Sequence, residues 1–119
     1  MTDEFLKVAT KEINEELHGL EHFLALCTTD RDVIAVSSEF QKHTHKIKGL
    51  APMMDKKSLG DVSNSLDSLF KKTIDGKDMH GILTVISEII PFMISMMNEP
   101  EYDSEKVKDK ISKIETLSN

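Results

Sequence analysis

The chain predicts an all-α fold, an up-down antiparallel four-helix bundle with an additional C-terminal helix, built as one domain over residues 1–119. Three observations predict it. Apolar residues recur at steps of three and four along most of the length. The stretches between these stripes are short. Three prolines, five glycines, one tyrosine and no tryptophan leave little from which to build a sandwich or a barrel. At 119 residues, 39% hydrophobic and 30% charged, the chain can fill one core but not two.

The first helix is predicted from Asp3 to about Cys27, with Leu6, Ala9, Ile13, Leu17, Leu20, Leu24 and Cys27 forming its buried stripe. Thr28-Thr29-Asp30 is a turn in which Thr29 or Asp30 can cap the next helix. That second helix is predicted from about Arg31 through Val33, Val36, Phe40, Thr44, Ile47, Ala51 and Met54, leaving Gln41, His45 and Lys48 off the stripe. Pro52 removes a backbone donor near its end and kinks the last turn. The third helix, about Ser58 to Thr73, turns Leu59, Val62, Leu66, Leu69 and Phe70 inward. Asp75-Gly76-Lys77 makes a tight connection, with Gly76 supplying the permissive backbone.

The fourth helix is predicted over about Asp78 to Met97, apolar nearly all round, as suits a helix enclosed by its neighbours. Pro91 implies a kink or a break, Met93, Met96 and Met97 read as core filler, and Asn98-Glu99-Pro100-Glu101 ends the helix. A fifth segment, Ser104 to about Leu117, carries Val107, Ile111, Ile114 and Leu117 at helical spacing and is expected at an edge of the bundle.

Charge narrows the function. The net charge of −6 argues against a nucleic-acid partner, because phosphate backbones need broad basic surface. The charge is also uneven. Met1 to Asp30 holds seven acids against two lysines, whereas Lys42 to Lys57 holds five lysines against Asp55 alone. That basic island fits either a local anionic group or a solvated lysine-rich turn. The apolar run Ile82 to Met97 is interrupted by Glu88 and Pro91 and is too short for a membrane span. With Thr2-Asp3-Glu4 acidic where a signal peptide needs positive charge, and with Cys27 the only cysteine, a cytoplasmic location is expected.

The stretch His43-Thr44-His45-Lys46-Ile47-Lys48-Gly49 concentrates chemistry on one helix. At 100° per residue, His45 lies about 160° from Ile47, at the edge of the buried stripe or outside it. This placement disfavours a satisfied core histidine. Lys48 follows one turn later on the same face, and Gly49 clears space beside both.

From Phe40 the chain reads FQKHTHKIKGLAPMMDKKSLGDVSNSLDSLF, which resembles the histidine-containing phosphotransfer domains, most of all the N-terminal domains of chemotaxis histidine kinases of the CheA kind. Those domains carry His-x-x-Lys-Gly on the second helix of such a bundle, matched here by His45, Lys48 and Gly49, and the helical layout matches over nearly the whole chain. The resemblance implies that His45 is the phosphoacceptor in two-component signalling. Lys48 would steady the phosphoryl oxygens, and Gly49 would let a partner approach. Asp67, on the third helix, would orient the ring. The resemblance further implies a kinase ATP-binding domain as donor and a response-regulator receiver domain as acceptor. The ATP and Mg²⁺ would belong to the partners, and the chain would hold no cofactor or metal and have no independent catalysis.

Departures from the pattern are specific. Aspartate stands at 67 in place of the usual glutamate and reaches about one methylene less far, which predicts a longer or water-bridged contact. Asn64 stands where histidine is frequent, Asp55 where glycine is usual, and Pro52 where a small residue is usual. His43 is a rival imidazole about 200° round the helix, but Lys46 and Ile47 stand where it would need lysine and glycine. Two other readings remain. One is a non-catalytic helical-bundle interaction domain with a degenerate site. The other is a metal centre using His18, Glu21, His22, His80 or Glu88, although the paired Glu-x-x-His helices of di-iron bundles are missing.

Overall fold

Six α-helices and one 3₁₀ turn make up the computed structural model, which describes residues 2–98 and 105–117. They are α1 (Asp3–Ala25), α2 (Asp30–Ala35), α3 (Ser37–Leu50), α4 (Lys57–Ile74), α5 (Ile82–Met96) and α6 (Glu105–Leu117), with the 3₁₀ turn at Pro52–Met54. Among the described residues there is no strand, and no helix is long and apolar enough to cross a membrane. The expected helix end at Glu99-Pro100-Glu101 and the start at Ser104 lie outside the described residues.

The apolar stripes converge on one core. Ala9, Ile13, Leu17 and Leu20 of α1 are buried with Phe40 and Ile47 of α3, Leu66, Leu69 and Phe70 of α4, and Ile86, Ile89, Ile90 and Met93 of α5. Val107, Ile111 and Ile114 of α6 join it, and α6 packs against α4 and α5. On the expected α1 stripe Leu6 is 41% exposed, and Leu24 and Cys27 are half-buried. Met93 and Met96 are core filler, while Met97 is half-buried. Partner pairs fix the helix directions. Phe23 meets Phe40 and Glu16 meets His43, so α1 and α3 run antiparallel. Ser37 meets Thr73, Gln41 meets Asp67, and Pro52 meets Gly60, so α3 and α4 do the same.

Two boundaries differ from the sequence reading, each for a local reason. The predicted second helix is split at Val36 (φ −113°, ψ 20°) into α2 and α3. There the Ser37 hydroxyl donates to the Val33 carbonyl at 3.1 Å, and Thr73 Oγ1 lies 2.6 Å from Ser37 Oγ. A side chain that takes the carbonyl one turn back bends or interrupts a helix. The break escapes an apolar-period argument because Val33 and Phe40, on either side, are both core.

The predicted fourth helix begins at Ile82 rather than Asp78, because Gly81 adopts φ 87°. Gly81 has no side chain to cap the helix. Asp30, in the first turn of α2, does so instead, its carboxylate accepting from Gly81 N and Leu83 N, each at 2.9 Å. A cap of this kind contributes about 1–2 kcal/mol. Asp30→Ala is expected to lower stability by that amount, measured by urea unfolding at unchanged m-value. Pro91 leaves α5 unbroken. Lys56 closes its other end, donating to the carbonyls of Met96 (3.4 Å) and Met97 (2.8 Å), as a cation at a helix C-terminus favours.

The other expected turn and cap signals are present, with one correction at Pro52. Thr29 caps α2 in a reciprocal box with Asp32. Hydrogen bonds from Thr28 and then Thr29 hold the Asp32 carboxyl below its ordinary range, with burial opposing them. Gly76 has φ 96°. Pro52 does not kink α3; it opens the 3₁₀ turn beyond the helix end. Asp55, at φ 59°, occupies the left-handed region that closes this turn, a conformation glycine adopts freely and aspartate better than most residues. Cys27 is half-buried, its Sγ donating to the Phe23 carbonyl, and burial followed by the Asp32 charge pushes the thiol up.

Candidate functional site

The α3–α4 seam brings three of the expected residues together around one carboxylate. Asp67 of α4 is only 1% exposed. A buried carboxylate needs partners to remain ionised, and four groups supply them. Gln41 Nε2 donates to Oδ1 at 2.7 Å. His45 Nδ1 lies 3.5 Å from the same oxygen. Lys48 Nζ and Lys71 Nζ stand 3.6 and 3.4 Å from Oδ2. Burial pushes the Asp67 carboxyl up, but the Gln41 hydrogen bond, the Lys71 ammonium and the His45 ring together hold it below the ordinary aspartate value.

His45 itself is in the open. Its side chain is 60% exposed, off the stripe of Phe40, Thr44 and Ile47 that anchors α3. At 3.5 Å the Nδ1–Oδ1 approach is an electrostatic contact, longer than a well-formed hydrogen bond. It nonetheless places Nδ1 on the carboxylate side. A proton on Nδ1 is favoured there, which leaves the Nε2 lone pair available. Two lysines against one carboxylate leave this corner electropositive.

Gly49, one residue beyond Lys48, is exposed, and a Cβ added there would meet no atom within 4 Å. Packing therefore gives no reason for glycine at a position where it costs a helix about 1 kcal/mol relative to alanine. Gly19 and Gly60 contrast with it. An added Cβ would fall 2.3 Å from the His43 ring at Gly19 and 2.9 Å from Pro52 at Gly60.

His43 is committed elsewhere. Its Nδ1 is hydrogen-bonded to Glu16 Oε2 at 2.6 Å, its ring lies over Gly19, and it packs 6.0 Å from the Phe23 ring. Asn64 is exposed on α4, and no hydrogen bond ties it to His45, Lys48 or Asp67 among the described residues. The structure therefore does not bring it into the cluster. The basic island also resolves differently from its charge count. Lys42 pairs with Glu39 and Lys46 with Glu16, and Lys56 caps α5. Of the five lysines, Lys48 alone faces the carboxylate.

Two members of the cluster, Gln41 and Lys71, lie outside the sequence motif. The signal that could have found them is spacing, since Gln41 precedes His45 by four residues and Lys71 follows Asp67 by four, and residues four apart share a helix face. Gln41, His43 and His45 also line a cleft of about 320 Å³ with Glu16, Glu39, Lys42 and Lys46. Among the described residues, no three histidine, cysteine, aspartate or glutamate side chains are grouped to hold a metal ion. His18, Glu21 and His22 are on α1, and Lys110 pairs with Glu88.

Comparison with protein-family models, with curated proteins and with solved structures returns no match to this chain.

Proposed function

We propose that the chain is a histidine phosphotransfer domain, a phosphorelay carrier of the two-component and chemotaxis type. His45 takes a phosphoryl group from a histidine kinase ATP-binding domain and passes it to an aspartate of a response-regulator receiver domain. The observation that carries the reading is the exposed His45 ring, backed through Nδ1 by a buried ionised carboxylate, with Lys48 one turn on and unfilled space over Gly49.

The chemistry is self-consistent. The Nε2 lone pair attacks the γ-phosphorus of ATP held by the kinase, and the Nε2–P bond forms as the P–O bond to ADP breaks. The ring keeps its Nδ1 proton and becomes cationic, a charge the Asp67 carboxylate stabilises. Lys48 offers positive charge to the incoming phosphoryl oxygens. On transfer, a receiver carboxylate oxygen attacks phosphorus, the P–N bond breaks, and the lone pair returns to Nε2. No proton has to move in either direction.

The architecture that suits this role is an up-down antiparallel four-helix bundle of α1, the interrupted α2–α3, α4 and α5, with α6 added. The antiparallel α1–α3 and α3–α4 pairs favour it. We place the protein in the cytoplasm, where its partners' ATP is found.

Gly49 provides a test that separates function from stability. Gly49→Ala is expected to raise thermal stability, by about 0.5–1 kcal/mol, while slowing transfer from a partner domain. Melting curves and transfer rates on the same protein check both signs. For the relay itself, the chain is incubated with a kinase domain and labelled ATP, then with a receiver domain. Label should appear on the chain and then move to the receiver. A chain that takes no label from any kinase domain that labels a known phosphotransfer domain contradicts the reading.

A further inference from the structure

We propose that Gln41 is a positioning residue that restrains Asp67 and so limits how strongly the carboxylate engages the His45 ring. This proposal rests on His45 being the nucleophile.

The geometry is one of competition for a single oxygen. Asp67 Oδ1 accepts from Gln41 Nε2 at 2.7 Å, the shortest contact the carboxylate makes, while His45 Nδ1 stands off at 3.5 Å from the same atom. The other oxygen is shared by Lys48 and Lys71. A neutral amide therefore holds the closest approach, and the imidazole has the weaker share. Gln41 starts from a well-held stretch of backbone. It leaves the half-buried wall of α3 between Phe40, which is fully buried, and the Thr44 turn, whose hydroxyl donates to the Gln41 carbonyl at 3.2 Å. The ring, 60% exposed, is the less buried partner.

Removing the amide leaves a buried carboxylate without its best donor, and the nearest replacement at Oδ1 is the Nδ1–H of His45. The ring then moves in, its Nδ1–H tautomer is enriched, and Nε2 becomes a better nucleophile because the carboxylate meets more of the developing ring charge. The charged groups that bear on the ring otherwise stay the same. They are Glu39, Lys42, Lys46 and Lys48 on its own helix, Asp67 and Lys71 from α4, and Glu16 from α1 across the shared cleft.

The test needs no partner protein. Gln41→Met preserves side-chain length and removes the donor. Ring ¹⁵N shifts of His45 report the tautomer, and phosphoramidate, which loses ammonia as the Nε2–P bond forms, reports nucleophilicity. Gln41→Met is expected to enrich the Nδ1–H tautomer and to speed phosphorylation about fivefold, the equivalent of about 1 kcal/mol of barrier. The same substitution placed on Asp67→Ala should change neither quantity, because the effect passes through the carboxylate. An unchanged tautomer, a slower reaction, or an equal effect with and without Asp67 overturns the proposal. If the kinase relay fails while these readouts shift as expected, the partner assignment falls and the Gln41 coupling stands. If the relay succeeds and they do not shift, the reverse holds.

Discussion

Asp67→Ala is expected to slow phosphoryl acceptance at His45 by roughly ten- to a hundredfold, the range seen when the carboxylate partner of a metal-ligating histidine is removed. The reason is charge. The ring becomes cationic as the Nε2–P bond forms, and Asp67 is the carboxylate facing its Nδ1, at 3.5 Å. Alanine also leaves the half-buried Gln41 amide without its acceptor, at a cost of about 1–2 kcal/mol. The two lysines are partly exposed and turn to solvent, so they are not left as stranded charges. Asp67→Asn separates the effects. It keeps the shape and should retain more of the stability, yet it should lose rate almost as fully as alanine.

Acid titration checks the same residue independently. The folded-state value of Asp67 lies below the ordinary one. Its stabilising contribution is therefore complete above the unfolded pKa of about 3.9 and is lost as pH falls through the folded value. The stability difference between wild type and Asp67→Asn should be constant near neutrality and shrink only in that acidic window.

The largest effect on stability is expected from Phe40→Ala. Phe40 and Phe70 stack face to face with centroids 5.0 Å apart and planes 8° from parallel, both fully buried. Truncating a buried phenylalanine costs about 3–5 kcal/mol, part of it the cavity left behind, against a total of about 5–15 kcal/mol for a typical domain. Calorimetry should show a fall in Tm of about 10–25 °C. Because Phe40 immediately precedes Gln41 and seats α3 on both α1 and α4, loss of order at the His45–Asp67 contact should accompany it.

What was legible in the sequence depends on the range of each interaction. The helices were, because residues such as Ile13, Leu17 and Leu20 of α1, or Leu59, Val62, Leu66 and Leu69 of α4, recur at a period that burial on one side enforces. So was the exposure of His45, a matter of angle on one helix. The break at Val36 was not, because it depends on the Ser37 hydroxyl and its neighbour Thr73, thirty-six residues away. The late start of α5 was hidden for the same reason, its cap coming from Asp30. Gln41 and Lys71 share helix faces with His45 and Asp67, but only the packing of α3 on α4 turns those faces toward one carboxylate. The paired lysines of the basic island teach the converse, because Glu16 and Glu39 neutralise what the local charge count left open.

The most direct measurement is the location of the phosphoryl group. Wild type, His45→Gln and His43→Gln are labelled in parallel by a kinase domain with labelled ATP. Acid-labile, alkali-stable label is expected on wild type and on His43→Gln, and none on His45→Gln. Label that survives His45→Gln, or that disappears with His43→Gln alone, contradicts the account.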